Sequence, residues 1–285
     1  MSFKRITFSL LFLAVLAAGC SKDDDSGIDR AADEQAARDY LLAEGIYEAA
    51  FQLVDAEAKQ QGALNDFQGP VDPVEPRDNC PFSELVLTEG SVFPATLTLD
   101  FGEGCRAGDG VLRAGKIVAT FNGLLLRPGT DIYIDFDGYE QDGHAVTGSY
   151  RLSNDGQAGL PTFTGIVDGE LTTADGRRIG YQATNTLVQT EGADTNFFTD
   201  GLSGITDDVW SGTRDATLTS STGRTLRVNT PDPIRHPRTC FWPVSGFHAL
   251  QLSNPDRTGS IDFGTGACDN KAVLTIGEFT VEVEL

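Results

Sequence analysis

From Asp29 to Gln61 the apolar residues recur at spacings of three and four. Leu42, Ile46, Ala49 and Leu53 make one row and Tyr47, Ala50, Val54 and Ala58 a second, which together draw the stripe of an amphipathic helix. Glu44, Glu48, Asp55 and Glu57 fall on the opposite side, so the pattern predicts a helix resting on an apolar surface with its acidic face in water. Gly45 costs about 1 kcal/mol relative to Ala in a helix interior and marks the place where a break or kink is expected. Gly62 supplies a stop. Pro70, Pro73 and Pro76 then make 62–79 an extended connector, because proline fixes φ and has no N–H to donate.

After Cys80 the period changes to two. Ile132, Ile134 and Phe136 alternate with Tyr133, Asp135 and Asp137, the signature of a half-buried strand with a wet acidic face. Asp142-Gly143 separates it from a returning strand at 145–152, a turn dipeptide that suits a tight hairpin. The device recurs at Asp175-Gly176, between 163–173 and 177–187, and at Thr222-Gly223, between 210–218 and 225–228. Three hairpins in series predict a mainly β fold: an antiparallel meander forming a sandwich, a curved sheet or a barrel, with one N-terminal helix. No long linker interrupts 80–285, which reads as a single β domain.

The first residues have another purpose. Lys4 and Arg5 precede an apolar run over 6–18, shorter than the roughly 20 residues a spanning helix needs. The run closes on Leu16-Ala17-Ala18-Gly19-Cys20, similar to the bacterial lipobox, in which cleavage leaves an acylated cysteine at the new N-terminus. Residues 1–19 are thus a lipoprotein signal peptide and Cys20 the lipidation site and the contact with a membrane. Each buried acyl methylene contributes about 0.8 kcal/mol, so two or three chains hold firmly where one does not. Residues 20–28, with Lys22 followed by Asp23, Asp24 and Asp25, form an acidic tether.

Four cysteines remain, Cys80, Cys105, Cys240 and Cys268, and an exported protein permits disulfides. Asp100-Phe-Gly-Glu-Gly-Cys105 echoes Asp262-Phe-Gly-Thr-Gly-Ala-Cys268, and the echo extends over 80–121 and 240–285. The economical pairing has each copy stapling its own hairpin, Cys80 to Cys105 and Cys240 to Cys268, at about 2–4 kcal/mol each. Unpaired thiols are the alternative. The lipobox with its acidic tether, the short helix, the Asp-Phe-Gly-x-Gly-Cys turn leading to Gly115-Lys116-Ile117, Pro128-Gly129-Thr130 and Cys240-Phe-Trp242-Pro-Val-Ser-Gly246 resemble a group of uncharacterised Bacteroidota lipoproteins over nearly the whole mature chain. The resemblance implies a β-rich domain anchored in the outer membrane and facing the cell exterior, and it carries no activity.

The charge narrows the partners. With 42 acidic against 21 basic residues and a net charge of -21, the chain lacks the basic surface that nucleic-acid binding requires. Asp100-Phe-Gly and Asp262-Phe-Gly match a kinase tripeptide, but the glycine-rich loop and catalytic loop of that chemistry are missing from the sequence, so their glycines read as turn residues. Asp131, Asp135, Asp137, Glu140 and Asp142 have the oxygens calcium takes but not the EF-hand spacing. His144, His236 and His248 show no metal-ligand spacing, no nucleophile elbow or zinc-protease motif occurs, and no cofactor is implied. Trp210 and Trp242, each near acidic or cysteine residues, are the candidates for stacking on a glycan, against a plain core role. Together these point to a lipid-anchored, non-enzymatic binding or scaffold module that meets a glycan or a surface protein. The alternative is a surface hydrolase acting on polysaccharide or peptide.

Overall fold

The computed structural model describes residues 29–61, 64, 80–157, 159–253 and 256–285. The signal peptide, Cys20, the tether, Gly62 and the connector prolines lie outside the described residues. A single long helix, α1 (Arg30–Gln60), opens the described chain. Asp29 caps it by accepting from the Ala32 amide at 3.0 Å, and Asp33 in the first turn and Lys59 in the last complement the helix dipole. Gly45 does not divide it: the helix runs through that position unbroken.

The rest is sheet: β1 (Phe82–Leu87), β2 (Ala95–Asp100), β3 (Cys105–Arg106), β4 (Leu112–Phe121), β5 (Asp131–Gln141), β6 (His144–Asn154) and β7 (Thr162–Thr172) lead to β8 (Arg178–Glu191). Two one-turn helices, α2 (Phe197–Asp200) and α3 (Ser203–Thr206), precede β9 (Val209–Thr219), β10 (Thr225–Pro237), β11 (Ser245–Leu252), β12 (Arg257–Thr265), β13 (Lys271–Ile276) and β14 (Phe279–Glu284). Apart from β3, which pairs only with β4, each strand pairs with its sequence neighbours in one antiparallel path. The meander and the three expected hairpins are present at β5–β6, β7–β8 and β9–β10. The sheet is open, with β1 and β14 as its two edges.

The strands alternate buried and exposed positions, so one face is core and the other solvent. Helix α1 contacts β2 and also β8, β9 and β10. Strands β2 and β10 are seven steps apart along the path, about 34 Å in a flat sheet at about 4.8 Å per step, whereas a helix with its side chains is only about 10–12 Å across. One helix touches both only because the sheet curls around it. Tyr47 shows the closeness: its ring stacks on Tyr181 at 5.5 Å, meets Phe136 and Tyr150 edge-on, and its hydroxyl donates to the Thr147 carbonyl of β6 at 3.1 Å. A Cβ at Gly169 of β7 would collide with that hydroxyl, so glycine there lets the helix seat on the sheet.

This enclosure corrects the expected acidic face. Glu44, Glu48 and Asp55 are buried, not solvated, because the strands that wrap the helix bring them cations. Arg214 of β9 lies 3.0 Å from Glu44 and 2.6 Å from Glu48, and His248 of β11 donates to Glu44 at 2.9 Å. Lys59 stands 3.3 Å from Asp55 and 2.7 Å from Asp208. Nearer the N-terminus, Asp39 accepts from Ser220, from Ser221 and from Arg177 at 2.8 Å, and Asp33 pairs with Arg224 and Arg257. The turns after β7 and β9 therefore clasp the helix as well as reversing the chain.

The two halves of the sequence echo are matching hairpins. Disulfide Cys80–Cys105 joins the residues flanking β1–β2, and Cys240–Cys268 those flanking β11–β12. In both copies the aspartate of the Asp-Phe-Gly turn accepts from the glycine amide two residues on, at 2.8 Å, with Gly102 at φ 59° and Gly264 at φ 82°. The phenylalanines, Phe101 and Phe263, enter the core. The echo ends after one further strand: Gly115 lies inside the ten-residue β4, while Gly277 turns the chain between β13 and β14.

Candidate functional site

A cleft of about 1310 Å³ runs along one flank of α1. Its floor is the helix from Leu41 to Gln61, including Leu42, Gly45, Ala49 and Leu53, about 30 Å at 1.5 Å per residue. Leu42 and Leu53, from the first expected apolar row, are only half-buried, and Gly45 is exposed. The second row, Tyr47, Ala50, Val54 and Ala58, is the one packed into the sheet. Ile46 and Ala49 of the first row are buried, so the helix has one fully seated apolar side and a second that reaches the cleft surface at Leu42 and Leu53.

One wall is built by a ladder of polar contacts. Glu44, Glu48 and Gln52 are one turn apart and engage Arg214, His236 and Arg238 in succession. The His236 Nε2–H donates to the carbonyls of Cys240 and Phe241 at 3.0 and 3.1 Å, which leaves Nδ1 to accept from the Gln52 amide at 3.0 Å. Arg238 donates to the Gln52 backbone carbonyl at 2.5 Å. These bonds fix the loop carrying the Cys240–Cys268 bridge, Phe241 and Trp242 against the helix. Across the cleft stand Cys80, Pro81 and Phe82, with Arg113 held bidentately by Asp109 at 3.0 and 2.7 Å.

The electrostatics are those of a locked wall. Burial acts to raise the Glu44 carboxyl, but Arg214 and His248 outweigh it and hold the group down to about 2. Burial likewise opposes the charge on Arg214, and Glu44 and Glu48 more than restore it. Burial keeps His236 below its ordinary value, in keeping with an imidazole that accepts at Nδ1. Behind the wall, burial, with Asp55 adding to it against the pull of Lys59, pushes Asp208 up to about 6. An acid–base catalyst needs a pKa near the working pH and a free path to substrate. Glu44, ion-paired and held near 2, has neither.

Both candidate tryptophans line this cleft, but only one is open to a ligand face. Trp210 is 1% exposed and packed against Phe51 at 5.2 Å and Phe163 at 5.8 Å, so its glycan-stacking role gives way to a core role. Trp242 is half-buried at the rim, edge-on to Phe241 at 5.3 Å. Of the acidic positions weighed for calcium, Asp131 binds Arg151 at 2.9 Å and Ser153 at 2.6 Å, and Asp135 and Asp137 lie on the exposed face. No group of three or more metal-ligating side chains gathers among the described residues.

Sequence reasoning missed Arg214, His236 and Arg238. The first carried a signal: Trp210, Gly212, Arg214, Ala216 and Leu218 form the inward row of β9, and a charge in an inward row requires a buried partner. Arg238 follows the end of β10 and no periodicity marks it. Compared with known proteins, the chain matches no family model, no curated protein and no solved structure.

Proposed function

We propose that this is a lipid-anchored envelope protein, acylated at Cys20, whose sheet and helix hold open a binding cleft for an elongated, mainly apolar ligand such as an acyl chain. The observation that carries the reading is the cleft floor: on the helix flank left open by the sheet, the row from Leu42 to Leu53 gives an apolar stretch of about 17 Å at 1.5 Å per residue. That length is about the depth of one acyl layer, half of the roughly 30 Å hydrocarbon core of a bilayer. The cleft also exceeds the usual 300–1,000 Å³ of small-ligand sites, which are mostly apolar with a few placed polar groups. A glycan would need polar partners along its whole length, and a hydrolase would need an unlocked carboxylate, so both readings are weaker here than a binding module.

Gly45 gives the test. A Cβ built there meets nothing within 4 Å, so Gly45→Trp projects into the cleft without straining the fold, and replacing a helical glycine favours the helix. Equilibrium titration with radiolabelled palmitate is expected to show saturable binding of one or two chains to the wild type and none to Gly45→Trp. Equal binding by both, or none by the wild type, would overturn the reading. The anchor and its location are tested separately by protease shaving of intact and lysed cells. Release of peptides from intact cells supports display on the exterior of the outer membrane, and release only after lysis places the protein on the periplasmic side.

A further inference from the structure

The cleft wall contains three guanidinium groups, and two are already spoken for. Arg214 is neutralised by Glu44 and Glu48, and Arg113 by Asp109. Arg238 is the exception: among the described residues its side-chain bonds go only to Gln52, to the backbone carbonyl at 2.5 Å and to the side-chain oxygen at 3.4 Å, and it forms no ion pair. Asp208, whose carboxyl feels the Arg238 charge, is committed to Lys59 at 2.7 Å and to Gln189 at 2.5 Å. In a chain with a net charge of -21, a half-buried arginine held by neutral groups at the edge of an apolar cleft is a local reversal of sign.

A second observation points the same way. Two further cleft-lining donors, Trp210 Nε1 and Arg113 Nε, are buried and find no acceptor among the described residues. Two buried donors of the cleft thus lack acceptors, so a matching ligand brings oxygen atoms and an apolar body. Arg238 is also held in place: its own amide donates to the Asp208 carbonyl at 2.8 Å, and His236 two residues earlier pins the loop that follows. A pre-set guanidinium loses little freedom on pairing with an oxyanion.

We propose that the cleft takes an anionic amphiphile, with its carboxylate or phosphate head at Arg238 beside Trp242 and its chain along Ala49 and Leu53. This rests on the acyl-binding reading above and adds to it the charge and the direction of the ligand. Carboxylate and phosphate heads share the chemistry, and the experiment separates them.

The probes are palmitate, hexadecyl phosphate and the neutral methyl palmitate, titrated into the wild type, Arg238→Gln and Arg238→Lys. The wild type is expected to prefer at least one anion over the ester by tenfold or more. Arg238→Gln should bring that anion to within about twofold of the ester, whatever the ester itself loses as the loop is released, and Arg238→Lys should keep most of the preference. Preference for palmitate alone assigns a fatty-acid head, and preference for the phosphate alone assigns a phospholipid-type head. Equal affinity of the wild type for both anions and the ester would overturn the head-group assignment and leave the cleft reading intact. So would an equal loss of anion and ester in Arg238→Gln. Failure of the wild type to bind any of the three would overturn the cleft reading itself.

Discussion

Replacing Arg214 with methionine tests the buried ladder at its centre. Arg214, Glu44 and Glu48 have side-chain exposures of 4%, 7% and 8%, with contacts at 3.0 and 2.6 Å. Each contact at such a distance corresponds to about 6 kcal/mol of attraction at an effective dielectric of about 20, most of it offset by desolvation. Removing Arg214 leaves Glu44 with His248 and Glu48 with only the neutral Gln52 at 3.2 Å and His236 at 3.8 Å, and a broken buried pair costs about 3–5 kcal/mol. The two carboxylates relieve that cost by taking up protons. Their folded pKa values then rise above the unfolded ones, so the variant's stability is greatest below the unfolded carboxylate range and falls as pH rises toward 7. The wild type slopes the other way in acid, because Glu44 is held down to about 2 against an ordinary 4.5. Its contribution is complete above about 4.5 and fades as pH falls toward 2. Denaturant unfolding followed by the fluorescence of buried Trp210 should show a loss of about 3–5 kcal/mol at pH 7 and distinctly less at pH 5. Adding Glu44→Gln and Glu48→Gln should recover most of the loss. A loss under about 1 kcal/mol that does not change between pH 7 and 5 would refute the ladder.

Three further outcomes are expected. The double variant Cys240→Ser/Cys268→Ser should lose about 2–4 kcal/mol in denaturant unfolding, as a bridge closing a loop of this size requires, and it should weaken ligand binding by releasing Trp242. Gly169→Ala should lower the unfolding free energy by about 1–3 kcal/mol through overpacking against Tyr47, and pairing it with Tyr47→Phe should recover part of that, since the hydroxyl is the closest of the colliding atoms, ahead of the Tyr47 ring and the Thr147 carbonyl. Asp208 is pushed up to about 6 from 3.8, so its share of stability is present at low pH and is lost as pH rises through 6. Asp208→Asn should therefore gain on the wild type between pH 4 and pH 7 when the two unfolding curves are compared.

The elements legible in the sequence were those governed by local chemistry. Period-two alternation with Asp-Gly and Thr-Gly turns placed β5 to β10, and the paired Asp-Phe-Gly turns placed both disulfides, because a turn or hairpin is decided within a dozen residues. The helix was legible in extent, from cap to last turn, but not in its surroundings. Glu44, Glu48 and Asp55 look like a solvated face until Arg214, His248 and Lys59 are brought to them, and nothing within the helix announces cations that lie up to 204 residues away. Gly45 looks like a weak point for the same reason. Its use is to leave space above the cleft floor, visible only once the sheet has curled round the helix. The open edge between β1 and β14 was equally hidden, because alternation fixes which face is buried and not whether the last strand meets the first.

The central claim is that an acyl chain lies in the cleft alongside α1. The chain contains two tryptophans, both in the cleft lining, so Trp242→Phe leaves Trp210 as the sole reporter, 1% exposed. Fatty acids carrying a nitroxide part-way along the chain should quench this Trp210 emission saturably, at one or two equivalents, while acrylamide in bulk water leaves it nearly unchanged. Adding Gly45→Trp would insert a second fluorophore, so Gly45→Leu is the blocking control, and it should abolish the quenching. Trp210 emission that stays undiminished at saturating nitroxide lipid, or that is quenched equally in Gly45→Leu, would contradict the claim.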